Sequence, residues 1–133
     1  MTEQPVPSPL NVLAIIGDHE WDTTRRQLTA YFNSTPEIVF HGFHESGLAG
    51  IEQAQTLQPN VLLVDINPTD TDFIAITKTF RRAAPNVKIV LMRSGDNATI
   101  TLKANRAGVA AFLQKPVEID ALATLMQTLR DAK

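Results

Sequence analysis

Two carboxylates and a lysine, Asp18, Asp65 and Lys115, stand at or just past the ends of three short apolar runs. Asp65 closes residues 61–64 (VLLV), Asp18 follows residues 12–16 (VLAII) after one glycine, and Lys115 follows residues 109–114 (VAAFLQ). Any one of them alone reads as a loop cap. Gathered at neighbouring strand ends, they form a cluster at the edge of an α/β sheet where ligands sit. Two carboxylates so placed repel each other, and a hard divalent cation, typically Mg²⁺ with several waters, is the simplest compensation. A lysine beside it holds an anionic group as a point charge. Such a set suits phosphoryl transfer onto a carboxylate, with metal and amine neutralising the charge that develops.

The elements that must position these residues follow from periodicity. Residues 61–64 are too few for a helix and unbroken in apolar character, which marks a strand buried on both faces of a parallel sheet. Residues 12–16, 37–40, 87–92 and 109–114 supply four more apolar runs. Between them, apolar residues recur at helical spacing: Trp21, Thr24, Leu28 and Tyr31/Phe32, then Leu48, Ile51, Ala54 and Leu57. Phe73, Ile76 and Phe80 mark a third helix, residues 97–107 a fourth stopped by Gly108, and Ile119, Leu122, Leu125/Met126 and Leu129 a fifth. Residues 42–47, bounded by Gly42 and Gly47, read as a turn. Five strand–helix units in strict alternation predict an α/β fold, a parallel sheet doubly wound by helices on both faces. Right-handed crossovers leave few topologies.

Composition bounds the function. At 133 residues, 44% apolar and 20% charged, the chain is expected to be one domain: a flexible, proline-bearing leader over residues 1–10 and a folded domain over 11–133. The net charge of −2 predicts no direct nucleic-acid contact, since no basic stripe stands out. The chain has no cysteine, so there is no disulfide framework or thiolate site. Residues 1–10 lack a signal-peptide pattern, and no apolar run reaches the roughly 20 residues of a membrane helix. A cytoplasmic location, away from the membrane, is the expectation.

Between residues 11 and 130 the chain resembles the receiver domain of bacterial two-component response regulators. The resemblance rests on PNVLLVDIN around Asp65, on Ala107-Gly108 followed by Phe112, and on Lys115-Pro116. It implies a flavodoxin-like (βα)5 fold with strand order 2-1-3-4-5 and a role in phosphorelay signalling. By the same resemblance Asp65 matches the phosphoacceptor, and Asp18, Asp65 and the Asn67 carbonyl match the Mg²⁺ ligands. Lys115 matches the lysine that contacts phosphoryl group and acceptor, and Phe112 the switch aromatic. Implied partners are a histidine kinase or phosphotransfer protein, an output domain or partner protein, and a second copy docked through the fourth helix, fifth strand and fifth helix. No enzymatic activity is implied beyond taking and losing its own phosphoryl group.

The departures matter as much. The pair of acids usual after the first strand is Gly17-Asp18, so one metal ligand is missing. The hydroxyl residue usual at the end of the fourth strand is Arg93. Arginine is long, permanently charged and shaped to fork onto a carboxylate, so it is expected to point at Asp65 or Asp18 and to weaken Mg²⁺ binding. The chain reads as an atypical receiver, phosphorylated at Asp65 or acting as a pseudo-receiver with a static network of Asp65, Asp18, Arg93 and Lys115. A phosphatase of the haloacid-dehalogenase type is the rival, because residues 65–69 (DINPT) look like its acid–x–acid–x–threonine loop; Asn67 in place of the second acid would disable hydrolysis. A flavodoxin-like flavin carrier shares the topology but needs a hydroxyl- and glycine-rich loop that is absent after the first run. His19, His41 and His44 are expected in or beside loops, Trp21 and Phe73 in the core, and Arg25-Arg26 and Arg81-Arg82 on solvated helix faces.

Overall fold

A computed structural model describes residues 10–16, 22–44, 48–65, 73–93, 98–114 and 117–131. Five strands alternate with five helices: β1 (Leu10–Ile16), α1 (Asp22–Asn33), β2 (Ile38–His44), α2 (Leu48–Leu57), β3 (Val61–Asp65), α3 (Phe73–Ala83), β4 (Lys88–Arg93), α4 (Ala98–Ala107), β5 (Ala111–Gln114) and α5 (Ile119–Asp131). All strand pairs are parallel, in the order β2-β1-β3-β4-β5 expected from the resemblance. β3 lies at the centre, and its first four residues are buried because both of its faces are covered.

Strand alternation divides the core in two. Val12, Ala14, Val61, Leu63, Val90, Met92 and Leu113 face one way and pack with Leu28 and Phe32 of α1 and Leu122, Met126 and Leu129 of α5. Leu13, Ile15, Leu62, Val64, Ile89 and Leu91 face the other way, against Ala54 of α2, Phe80 of α3 and Ala104 of α4. Each fully buried large side chain here, Phe80 and Leu62 among them, contributes roughly 1.5–3 kcal/mol by leaving water. At the sheet's amino edge Asn60 ties three strands together. Its N–H donates to Asn11 O, its O accepts from Lys88 N–H, and its Oδ1 accepts from Asn11 N–H.

Three sequence expectations are corrected. β1 begins at Leu10, which pairs with Ile38, so residue 10 belongs to the sheet and not to a leader. β2 does not end at Phe40 but runs on to His44. The register slips between Val12 and Ala14, so that three residues of β2 stand against two of β1, and Gly42 at φ 98° takes up the bulge. A bulge glycine and a turn glycine look alike in sequence, because both supply positive φ. His41 and His44 therefore lie in a strand and are half-buried, and His41 Nε2 hydrogen-bonds Asn11 Oδ1 at 3.0 Å. Arg25 is exposed, but its guanidinium lies 5.1 Å from the centre of the Phe43 ring, which in turn meets Phe40 edge-on. His19 and Trp21 lie outside the described residues, as does the side chain of Phe73.

Gly108 ends α4 as expected, and the geometry explains why it must be glycine. Its φ is 95°, its N–H donates to Asn105 O, and the next N–H, of Val109, reaches back to Ala104 O. This pair of bonds is a Schellman cap. Arg81 Nη1 of α3 donates to the Gly108 carbonyl at 2.8 Å, and a Cβ built on Gly108 would lie 2.1 Å from that same nitrogen. Gly108→Ala is expected to destabilise the fold by about 1–2 kcal/mol, the cost of a left-handed residue bearing a side chain. Urea unfolding checks this; an unchanged midpoint would show that the cap relaxes freely.

Candidate functional site

The register brings Asp65 into one row across the sheet. Ile16 pairs with Asp65, Asp65 with Met92, and Met92 with Leu113. The carboxyl ends of β1, β3, β4 and β5 are thus level, with Asp65 on the central strand and half-buried. Arg93 lies one residue beyond that row, paired with Gln114. The segments that leave these ends carry Gly17-Asp18, Asn67 and Lys115, and all of them lie outside the described residues. Of the residues expected to act here, the structure places Asp65, Arg93 and Phe112.

Alternation sets Asp65 and Arg93 on different faces. Asp65 has the parity of Val61 and Leu63, which belong to the α1/α5 core, whereas Arg93 has that of Ile89 and Leu91, which face α2, α3 and α4. The Arg93 contacts that the structure gives are accordingly on the α4 side. Its guanidinium carbon sits 4.2 Å from the centroid of the Phe112 ring, and Nη1 donates to Thr101 Oγ1 of α4. Phe112 is half-buried, packed against the core beneath α4. A cation over a ring at this distance is worth about 0.5–2 kcal/mol, more as water is excluded. The sequence did not expose this contact, because it depends on the β4–β5 register, which puts Leu91 opposite Phe112 and lets Arg93 lean back over the ring from the next position on the same face.

The family's donor set for Mg²⁺ is made of hard oxygens, and Asp65 is the member of it that is described. One half-exposed carboxylate at a strand end fits an ion that keeps most of its waters. No group of three or more His, Asp or Glu side chains placed to hold a metal occurs among the described residues.

A doubly wound parallel sheet of this order defines a flavodoxin-like α/β protein, with Asp65 at the carboxyl end of its central strand. More narrowly, residues 13–127 match the family model of the response regulator receiver domain, and the chain belongs to that family. It is 29% identical over 107 residues to the response regulator protein VraR of Staphylococcus saprophyticus, covering 80% of this chain and 50% of that one. It is 32% identical over 93 residues to a protein-glutamate methylesterase/protein-glutamine glutaminase of Thermotoga maritima, covering 69% of this chain and 27% of the relative. The chain thus spans half or less of these two relatives' length. Among solved structures, the signal receiver domain of the response regulator NarL from Mycobacterium tuberculosis superposes with a TM-score of 0.78 at 19% identity, over 96% of this chain and 100% of that one. The protein is a receiver domain of phosphorelay signalling. Nothing in these likenesses supports the haloacid-dehalogenase alternative. No helix among the described residues is long and apolar enough to cross a membrane.

Proposed function

We propose that this receiver takes a phosphoryl group on Asp65 from a histidine kinase or phosphotransfer protein and passes the signal on through α4. A carboxylate oxygen of Asp65 would form the new P–O bond as the bond from phosphorus to the donor breaks, the donor leaving with the electron pair. Asp18 and the Asn67 carbonyl, with Asp65, are the residues that would hold Mg²⁺, and Lys115 the one that would neutralise the phosphoryl oxygens. The bound ion would supply charge neutralisation at those oxygens. The observation that carries the reading is the position of Asp65, the last residue of the central strand, held in register by β1 on one side and β4 on the other.

Arg93 supports a modified read-out. A hydroxyl at its position would be short enough to turn between phosphoryl group and core. A guanidinium seated on Phe112 and Thr101 instead ties the end of β4 to β5 and α4 before any phosphoryl group arrives. The face formed by α4, β5 and α5 is the one we assign to an output partner or a second copy. It exposes Ile119 among short polar side chains such as Thr124. Treatment with acetyl phosphate and Mg²⁺, followed by intact-mass measurement, is expected to show one added phosphoryl group. A protein left unmodified at saturating donor would make this chain a pseudo-receiver.

A further inference from the structure

The charge of this chain is unevenly placed. Residues 73–117 hold eight of its twelve Lys and Arg but one of its fourteen acids, Asp96. Within that stretch neither α3 (FIAITKTFRRA) nor α4 (ATITLKANRA) contains an acid. Lys78, Arg81 and Arg82 lie at i, i+3 and i+4 on α3, and Lys103 and Arg106 at i and i+3 on α4, so each set shares a helix face. All five are exposed. The two helices are neighbours over β3 and β4, joined at their ends by the Arg81–Gly108 hydrogen bond. The low net charge of the whole chain hides this concentrated basic surface.

Helix ends explain only part of it. Arg81, Arg82 and Arg106 are in last turns, where cations suit the helix dipole. Lys78 and Lys103 are not, and surfaces without a task usually mix signs along a helix. Beside Arg106, one helical turn away, Leu102 is 52% exposed. An apolar side chain flanked on its own helix by Lys103 and Arg106 has the anatomy of an interface, an anchor beside a charged rim.

We propose that the α3–α4 face is a docking surface for a partner polypeptide, a segment bearing several Asp or Glu residues around one apolar side chain. Charge complementarity names the acids, and Leu102 names the apolar residue. A nucleic acid fits less well: thirteen acids elsewhere on the chain repel a long polyanion, and an exposed leucine gains nothing from phosphates. The surface is also separate from Asp65. Helices return antiparallel to the strands they follow, so the last turns of α3 and α4 lie toward the opposite edge of the sheet.

The test is fluorescence anisotropy of a labelled 14-residue helical peptide, with glutamates flanking a central leucine, against the whole chain at 150 mM salt. Lys103→Glu with Arg106→Glu is expected to weaken binding at least tenfold, and Leu102→Ser at least threefold. Arg25→Glu with Arg26→Glu makes the same change of net charge on α1 and is expected to stay within twofold. Arg81 is left alone because it holds the cap at Gly108. Circular dichroism verifies folding, and Lys103→Gln with Arg106→Gln replaces the reversal if that variant is unfolded. Absence of peptide binding, or equal losses on α1 and α4, would overturn the proposal. So would a duplex oligonucleotide that binds more tightly than the peptide and loses affinity with the same variants, which would assign the face to nucleic acid.

Discussion

Asp65→Ala is expected to abolish the phosphoryl addition that acetyl phosphate produces, leaving intact mass unchanged under conditions that convert the wild-type chain. The reason is positional. Attack on phosphorus needs a nucleophile held within a fraction of an ångström of its line of approach, and strand backbone paired on both sides provides that hold. Asp65 is paired in this way, between Ile16 and Met92. Asp70 and Asp72 are the acids nearest to it along the chain beyond β3, and substituting either by Ala is expected to leave the added mass in place. Modification that persists in Asp65→Ala would move the acceptor elsewhere.

Restoring the family's usual residues, Gly17→Asp with Arg93→Thr, is expected to raise Mg²⁺ affinity at least tenfold, about 1.4 kcal/mol. Gly17 follows Ile16 and Arg93 follows Met92, the two partners of Asp65. From the strand spacing and rise, the Arg93 backbone is about 6 Å from that of Asp65. The charge itself sits at the end of the side chain, over Phe112, and from there a fixed positive charge still opposes a dication at Asp65. The pair of changes adds one negative charge and removes one positive charge, and both favour the ion. Arg93→Thr also takes the cation off the ring, so Phe112 and α4 are expected to lose the contact that joins them to β4. Calorimetric titration with Mg²⁺ reads the first effect, and amide exchange in α4 the second. An affinity unchanged in the double variant would show that the charge at position 93 is already fully screened from the site.

How much of this was legible beforehand depends on the range of the interactions involved. The alternation of five strands and five helices was written in the chain. A strand covered on both faces must be apolar at every position, and an amphipathic helix must repeat every three to four residues, both being local constraints. Residues 61–64 and 12–16 could satisfy nothing else. Asp65 could be singled out for the same reason, since it ends one of these unbroken apolar runs. The Gly108 cap was readable too, because its bonds join residues only three to five apart.

What only the tertiary structure decided depends on pairing across distance. The bulge at Gly42 exists because β2 must stay in register with β1 beyond Val12, and no residue of β2 alone records that need. Arg93 lies over Phe112 because a strand's side chains alternate, and the β4–β5 register then settles which ring it meets. Likewise, Arg81, Arg82, Lys103 and Arg106 are separate short clusters in sequence and read as solvated faces. They become one surface only when α3 and α4 pack side by side on the same face of the sheet, since like charges on different elements add only where the fold makes those elements neighbours.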